Sequence, residues 1–145
     1  LPWFGKDPMA FGKNKDIRVN ELIAATGQAL ELGIAQARPG NTLGDIGYAI
    51  QSKAKEHNLH IVQGLSGHGI GKEVHEEPHV FNFGQPGEGM KLKPSMVLAI
   101  EPMFALGTDQ LIQTETGGYA TKDKSITAHF EHTIAITDNK PLIVT

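Results

Sequence analysis

The sequence predicts an α+β fold, with two helices covering one face of a mainly antiparallel sheet. Three observations carry this. Apolar residues recur at helical spacing in two early segments. The rest divides into short runs rich in β-branched and aromatic residues, separated by Gly, Pro and Asp. Two of those runs alternate small and acidic residues on one face with bulky aliphatic residues on the other.

Taken in order, residues 1–15 hold two Pro, two Gly and scattered aromatics and read as an extended arm. A helix is expected over about 16–37. Val19, Leu22, Ile23, Thr26, Leu30, Ile34 and Ala37 form its apolar stripe, Asp16 is its candidate N-cap, and Pro39-Gly40 stops it. A second helix is expected over about 43–57. Thr42 caps it, Asp45 completes a short capping box, and Leu43, Ile46, Ile50 and Ala54 face the core. Ile61-Val62-Gln63 reads as a short strand. Residues 64–95 hold seven Gly and three Pro, which predicts loops and bent edge strands. Strands follow over 97–104, 111–115, 119–121, 128–137 and 142–144. In the first of these, Val97, Ala99, Glu101 and Met103 share a face; in the fourth, Glu131, Thr133 and Ala135 do. Alanine beside each glutamate leaves space in front of the carboxylates, while Ile134 and Ile136 suit packing under helices.

Composition excludes several function classes. The 145 residues are 39% hydrophobic and 20% charged, enough for one domain with a core. A net charge of −3 without a dense Lys/Arg cluster argues against nucleic acid as the main partner. No apolar run approaches the roughly 20 residues of a membrane span, and no secretory signal pattern opens the chain. The absence of Cys removes disulfides, thiolate metal sites and Cys nucleophiles, and fits a cytoplasmic location.

The chemistry-bearing residues lie in the second half. Gly67-His68-Gly69-Ile70-Gly71 sets a histidine between glycines, which lets a ligand or metal approach the backbone there. His75 follows seven residues later. Glu101 and Glu131 sit in apolar surroundings, where an uncompensated carboxylate is costly and so is paired, protonated or metal-bound. One His and two Glu are hard N/O donors of the kind a hydrolytic metal site uses. His75-Glu76-Glu77-Pro78-His79 matches the helical zinc motif in letters, but Pro78 breaks the helix that motif requires. Neither the run from Gly64 to Gly71 nor that from Gly84 to Lys91 has phosphate-loop spacing. His57, His60, His79 and His129 read as surface or edge residues, and His132 as a packing residue. Asp45, Asp109, Asp123 and Asp138 lie in cap or turn contexts.

The runs Ser66 to Pro78, Leu92 to Met103, Thr121 to Ser125 and Glu131 to Thr137 together resemble the type I methionine aminopeptidases over residues 16–145. The resemblance implies the pita-bread fold, in which two similar halves enclose two divalent metal ions, Mn, Co, Fe or Zn. It implies removal of N-terminal methionine from peptides and nascent proteins by metal-activated water. His68, Glu101 and Glu131 become metal ligands, with Glu131 bridging and Glu101 also near the attacking water. His75 becomes a catalytic residue contacting the substrate, and Tyr119 stands near the family's Trp in the methionine pocket.

The family also has two Asp ligands on preceding strands, and this chain, which opens on Leu1, lacks them. Asp7 lies in the arm without a partner Asp. The expectation is therefore a C-terminal half whose partner is the missing N-terminal half, and which alone binds metal poorly and catalyses weakly or not at all. Two other readings are an Xaa-Pro peptidase of the same fold and a metal-free pita-bread module that binds a peptide or partner.

Overall fold

The computed structural model describes residues 17–145. The expected arm over 1–15, with Asp7, and the Asp16 cap lie outside the described residues. Helix α1 spans Ile17–Gln36 and α2 spans Leu43–Glu56. Ten short strands follow: β1 (His60–Ile61), β2 (Gly67–Gly69), β3 (Glu76–Val80), β4 (Val97–Ile100), β5 (Met103–Ala105), β6 (Leu111–Gln113), β7 (Tyr119–Thr121), β8 (Thr127–His129), β9 (His132–Ala135) and β10 (Leu142–Ile143).

The α1 stripe is wider than its large residues alone suggest. Ala25, Ala29 and Gly33 are buried beside Leu22, Leu30 and Ile34. A Cβ at Gly33 would lie 3.0 Å from Cδ1 of Ile50, so the small residues are where α2 approaches. The buried Thr26 hydroxyl donates to the Leu22 carbonyl one turn back, at 2.7 Å. α1 ends at Gln36, before Pro39, and Gly40 takes a positive φ of 92° in the turn. The α2 capping box is fully reciprocal. The Thr42 N–H donates to Asp45 Oδ2 at 2.7 Å and the Asp45 N–H to Thr42 Oγ1 at 3.4 Å. The Asp45 carboxylate also receives the Gly87 N–H at 3.1 Å, tying the helix start to the loop after β3.

Every strand pair is antiparallel. The five-stranded sheet has the order β10-β9-β4-β2-β3, the three-stranded sheet β1-β5-β8, and β6-β7 form a ribbon. Leu98, Ile100, Ile134 and Ile136 join Leu22, Leu30, Ile46, Ile50 and Phe104 in one buried core. Burying each large aliphatic side chain contributes about 1.5–3 kcal/mol. The bulky faces of β4 and β9 thus lie under the helices, as alternation predicts. A smaller cluster of Val62, Met103 and Ala105 lies apart from it.

Two expectations are corrected. The run at 64–95, expected as loops and bent edge strands, has an edge strand in β3, but β2 lies inside the sheet between β4 and β3. At Gly67 and Gly69 protein backbone fills the space a Cβ would take. A Cβ at Gly67 would lie 2.2 Å from the Ala99 carbonyl oxygen, and one at Gly69 would lie 2.3 Å from that of Glu77. The expected strands over 97–104 and 128–137 are also each broken in two, at Glu101-Pro102 and at Phe130-Glu131. Pro102 has no N–H to give a ladder, and the two breaks are where both chains leave one sheet for the other.

Two outcomes follow. Gly67→Ala is expected to destabilise the fold by about 1–3 kcal/mol through overpacking, read as a lower urea midpoint. Thr42→Ala is expected to cost about 1 kcal/mol from loss of the cap. The hydrogen bond from the Thr42 backbone holds the Asp45 pKa below its ordinary value of 3.8. A depressed carboxylate stabilises above its unfolded pKa and loses that contribution as pH falls through the folded one. The stability gap between wild type and Asp45→Ala is therefore expected to hold at neutral pH and to close below 3.8, measured as Tm against pH.

Candidate metal centre

The register across the two breaks decides the site. Ile100 faces His132 on one side of them, and Met103 faces His129 on the other. Counting inward from each side puts Glu101 opposite Glu131 and Pro102 opposite Phe130. The Phe130 N–H donating to the Pro102 carbonyl at 3.3 Å bridges the interval. His68 on β2 faces Ala99, which in turn faces Thr133 on β9. Two residues along each strand from Ala99 and Thr133, on the same face, come Glu101 and Glu131. Alanine, with no side chain beyond Cβ, leaves the ground between them open.

His68, Glu101 and Glu131 each offer one ligand atom, all within 4.8 Å of one another. His68 Nε2 lies 3.5 Å from Glu101 Oε1, and both side chains are 13% exposed. Two donors about 2.1 Å from one tetrahedral ion stand about 3.4 Å apart. The pair therefore already has the spacing of two ligands, and the Glu131 donor lies within 4.8 Å of both. His68 Nδ1 is 2.9 Å from the Gly69 carbonyl oxygen. With Nδ1–H donating there, the Nε2 lone pair is left for a ligand role. Neutral imidazole and two carboxylates are a donor set that fits a divalent first-row metal ion.

The surroundings differ in part from what the sequence suggests. Glu131 is exposed, not set in the apolar surroundings its neighbours in the sequence suggest. His75 is exposed, and its ring centroid lies 4.1 Å from that of His68. The segment after it is β3, an edge strand, so the zinc-helix pattern has no helix here. His79 pairs with Ser66 at 2.9 Å, and His57 Nδ1 with Glu21 Oε1 at 2.9 Å. Tyr119 is 61% exposed on the ribbon. It lines a cavity of about 570 Å³ with Val62, Leu65, Met103 and His129, and is not among the three clustered donors.

Two contributors escaped the sequence reading. His129 is no mere surface residue: its Nε2 lies 3.2 Å from Glu101 Oε2, with the ring 47% exposed. The hydrogen bond to Glu101 raises its pKa against the lowering effect of burial. Its position two residues before Glu131, on the same face, was the available signal. Asn82 is 2% exposed and donates its side-chain N–H to the Glu101 carbonyl at 3.0 Å. Nothing in the local sequence links those two positions, 19 apart.

The strand switch thus brings two carboxylates to a histidine on the neighbouring strand, a hard N/O donor set of the kind a divalent metal ion takes. Residues 8–138 match the model of metallopeptidase family M24, and the chain belongs to that family. It is 42% identical over 138 residues to a methionine aminopeptidase of Rickettsia prowazekii, covering 93% of this chain and 53% of that protein. A methionine aminopeptidase of Clostridium acetobutylicum is 44% identical over 127 residues, covering 86% and 50%. The crystal structure of methionine aminopeptidase from Thermotoga maritima superposes with a TM-score of 0.85 at 41% identity, over 88% of this chain and 52% of that one. The prolidase from Pyrococcus furiosus, at 23% identity and a TM-score of 0.62, shares the fold. The fold is thus the pita-bread fold, and the chain spans about half the length of the curated relatives it matches.

Asn82→Leu removes the grip on the Glu101 carbonyl and leaves that acceptor without the bond. The expected cost is about 1–3 kcal/mol, measured by urea unfolding without metal.

Proposed function

We propose that this chain carries the C-terminal half of a methionine aminopeptidase active site, which removes the N-terminal methionine of peptides and nascent proteins. The observation that carries the reading is the convergence of His68, Glu101 and Glu131 within 4.8 Å. Methionine aminopeptidases at 42% and 44% identity support it. The three residues would hold a divalent ion, Mn, Co, Fe or Zn, and Glu131, on the open side, would be shared with a second. Two Asp on a preceding half complete the set. A divalent ion in such a site supplies Lewis acidity to the peptide carbonyl and a more acidic water as nucleophile.

The rest of the work falls to the chain. His68 presents Nε2 because Gly69 holds its other nitrogen. Glu101, held between His68 and His129, would stand near the attacking water. His75, exposed beside His68, reaches the scissile amide and donates to the oxygen as charge develops. Tyr119 walls the side-chain pocket together with Met103. Among the described residues no helix is long and apolar enough to cross a membrane. A cytoplasmic location, where nascent chains are met, belongs to the same proposal.

The test is release of Met from a Met-Ala-Ser peptide, by the chain alone and mixed with an N-terminal-half polypeptide, with each metal in turn. Release is expected from the pair and little from the chain alone. His68→Ala is expected to lower kcat/KM by about a thousandfold, equivalent to about 4 kcal/mol. Full activity of the His68→Ala pair would falsify the ligand assignment.

A further inference from the structure

We infer that His129 is a positioning residue for the centre: its Nε2–H holds Oε2 of Glu101, so that Glu101 presents Oε1 alone towards His68. The inference rests on the metal reading above and extends it to a residue outside the ligand set.

The two oxygens of Glu101 have different neighbours. Oε1 lies 3.5 Å from His68 Nε2, and Oε2 lies 3.2 Å from His129 Nε2. His129 is not one of the three clustered donors, so it stands behind Glu101 rather than beside it. The main chain of Glu101 is fixed separately by the Asn82 amide at 3.0 Å. With the backbone clamped, the freedom left to Glu101 is its side-chain torsions. A donor on the far oxygen restricts those torsions before any ion arrives. A carboxylate so held offers one oxygen, and outer partners of this kind orient ligands and tune affinity.

The fold delivers this support economically. His129 ends β8 opposite Met103, and Glu131 follows two residues later at the break. The same strand switch therefore brings the third donor and the restraint on the second. β8 is the outer strand of its three-stranded sheet. A change of side chain at half-exposed His129 thus has room to be accommodated without disturbing the core.

The experiment compares His129→Leu, His129→Gln and Glu101→Ala with wild type. Each is mixed with the N-terminal-half polypeptide, and Co2+ alone is titrated into the pair and followed by calorimetry and by its visible absorption. Circular dichroism and unfolding without metal report on the fold. His129→Leu is expected to lose about 10- to 100-fold in Co2+ affinity and to shift the visible band, as outer-partner loss does. His129→Gln, which keeps a side-chain N–H, is expected to stay within about threefold of wild type by the same reasoning.

Wild-type affinity and spectrum in His129→Leu overturn the inference. Equal weakness of the Gln and Leu variants also overturns it, because the imidazole rather than its N–H is then what matters. Absence of Co2+ binding by wild type, or wild-type binding by Glu101→Ala, overturns the metal reading and this inference with it. A measurement independent of the variants' stability is the imidazole 15N spectrum of the metal-free chain in mildly alkaline solution. His129 is expected to carry its proton on Nε2 and to change its shifts on Glu101→Ala; unchanged shifts overturn the contact.

Discussion

The pairing of β4–β5 with β8–β9 is the interaction on which the rest of the molecule depends. One antiparallel register runs through both sheets and survives the break in each chain. The break frees Glu101 and Glu131 from the ladder at the same level and leaves them facing each other. A slip of one residue in either strand would turn that strand's carboxylate to the core face, where Leu98, Ile100, Ile134 and Ile136 are packed under α1 and α2. The cost of burying those charges and exposing those aliphatics is what holds the register. Core packing and site geometry are therefore the two faces of one constraint.

The glycines around His68 belong to the same constraint. β2 is wedged between β4 and β3, and at Gly67 and Gly69 neighbouring carbonyl oxygens occupy the space a Cβ would take. This tight approach sets His68 in line with Ala99, and so with the two glutamates. It also gives His68 Nδ1 the Gly69 carbonyl as a fixed acceptor. The restraint on Glu101 comes from further away, from Asn82 beyond β3 and His129 on β8. His68 is thus held from within its own strand, and Glu101 by groups on β8 and beyond β3.

Much of this was legible in the chain. The stripes of α1 and α2, the capping box at Thr42 and the alternating faces of β4 and β9 follow from local periodicity and capping chemistry. The three donors were legible by residue type and by their likeness to a metallopeptidase family. The interior place of 67–69 was not, because glycine in a local window reads as loop or bent edge; its reason is a contact with residues about 10 and about 30 positions away. The breaks at Glu101 and Phe130 were also hidden, since an apolar run with one proline does not show where a strand changes sheet. His129 looked like a surface histidine because exposure and partnership are decided by what lies across the sheet.

The sequence by itself determined the class of fold, through periodicity and caps, and the family, through its motifs, and it named the side chains proposed to carry chemistry by residue type. The tertiary structure decided where the donors meet. It set Glu101 against Glu131 through a register shared by two sheets, placed His68 in line with them, and gave Glu101 its holders in Asn82 and His129. Those are relations between residues far apart in the chain, fixed by hydrogen-bonded ladders and close packing, and no local pattern encodes them.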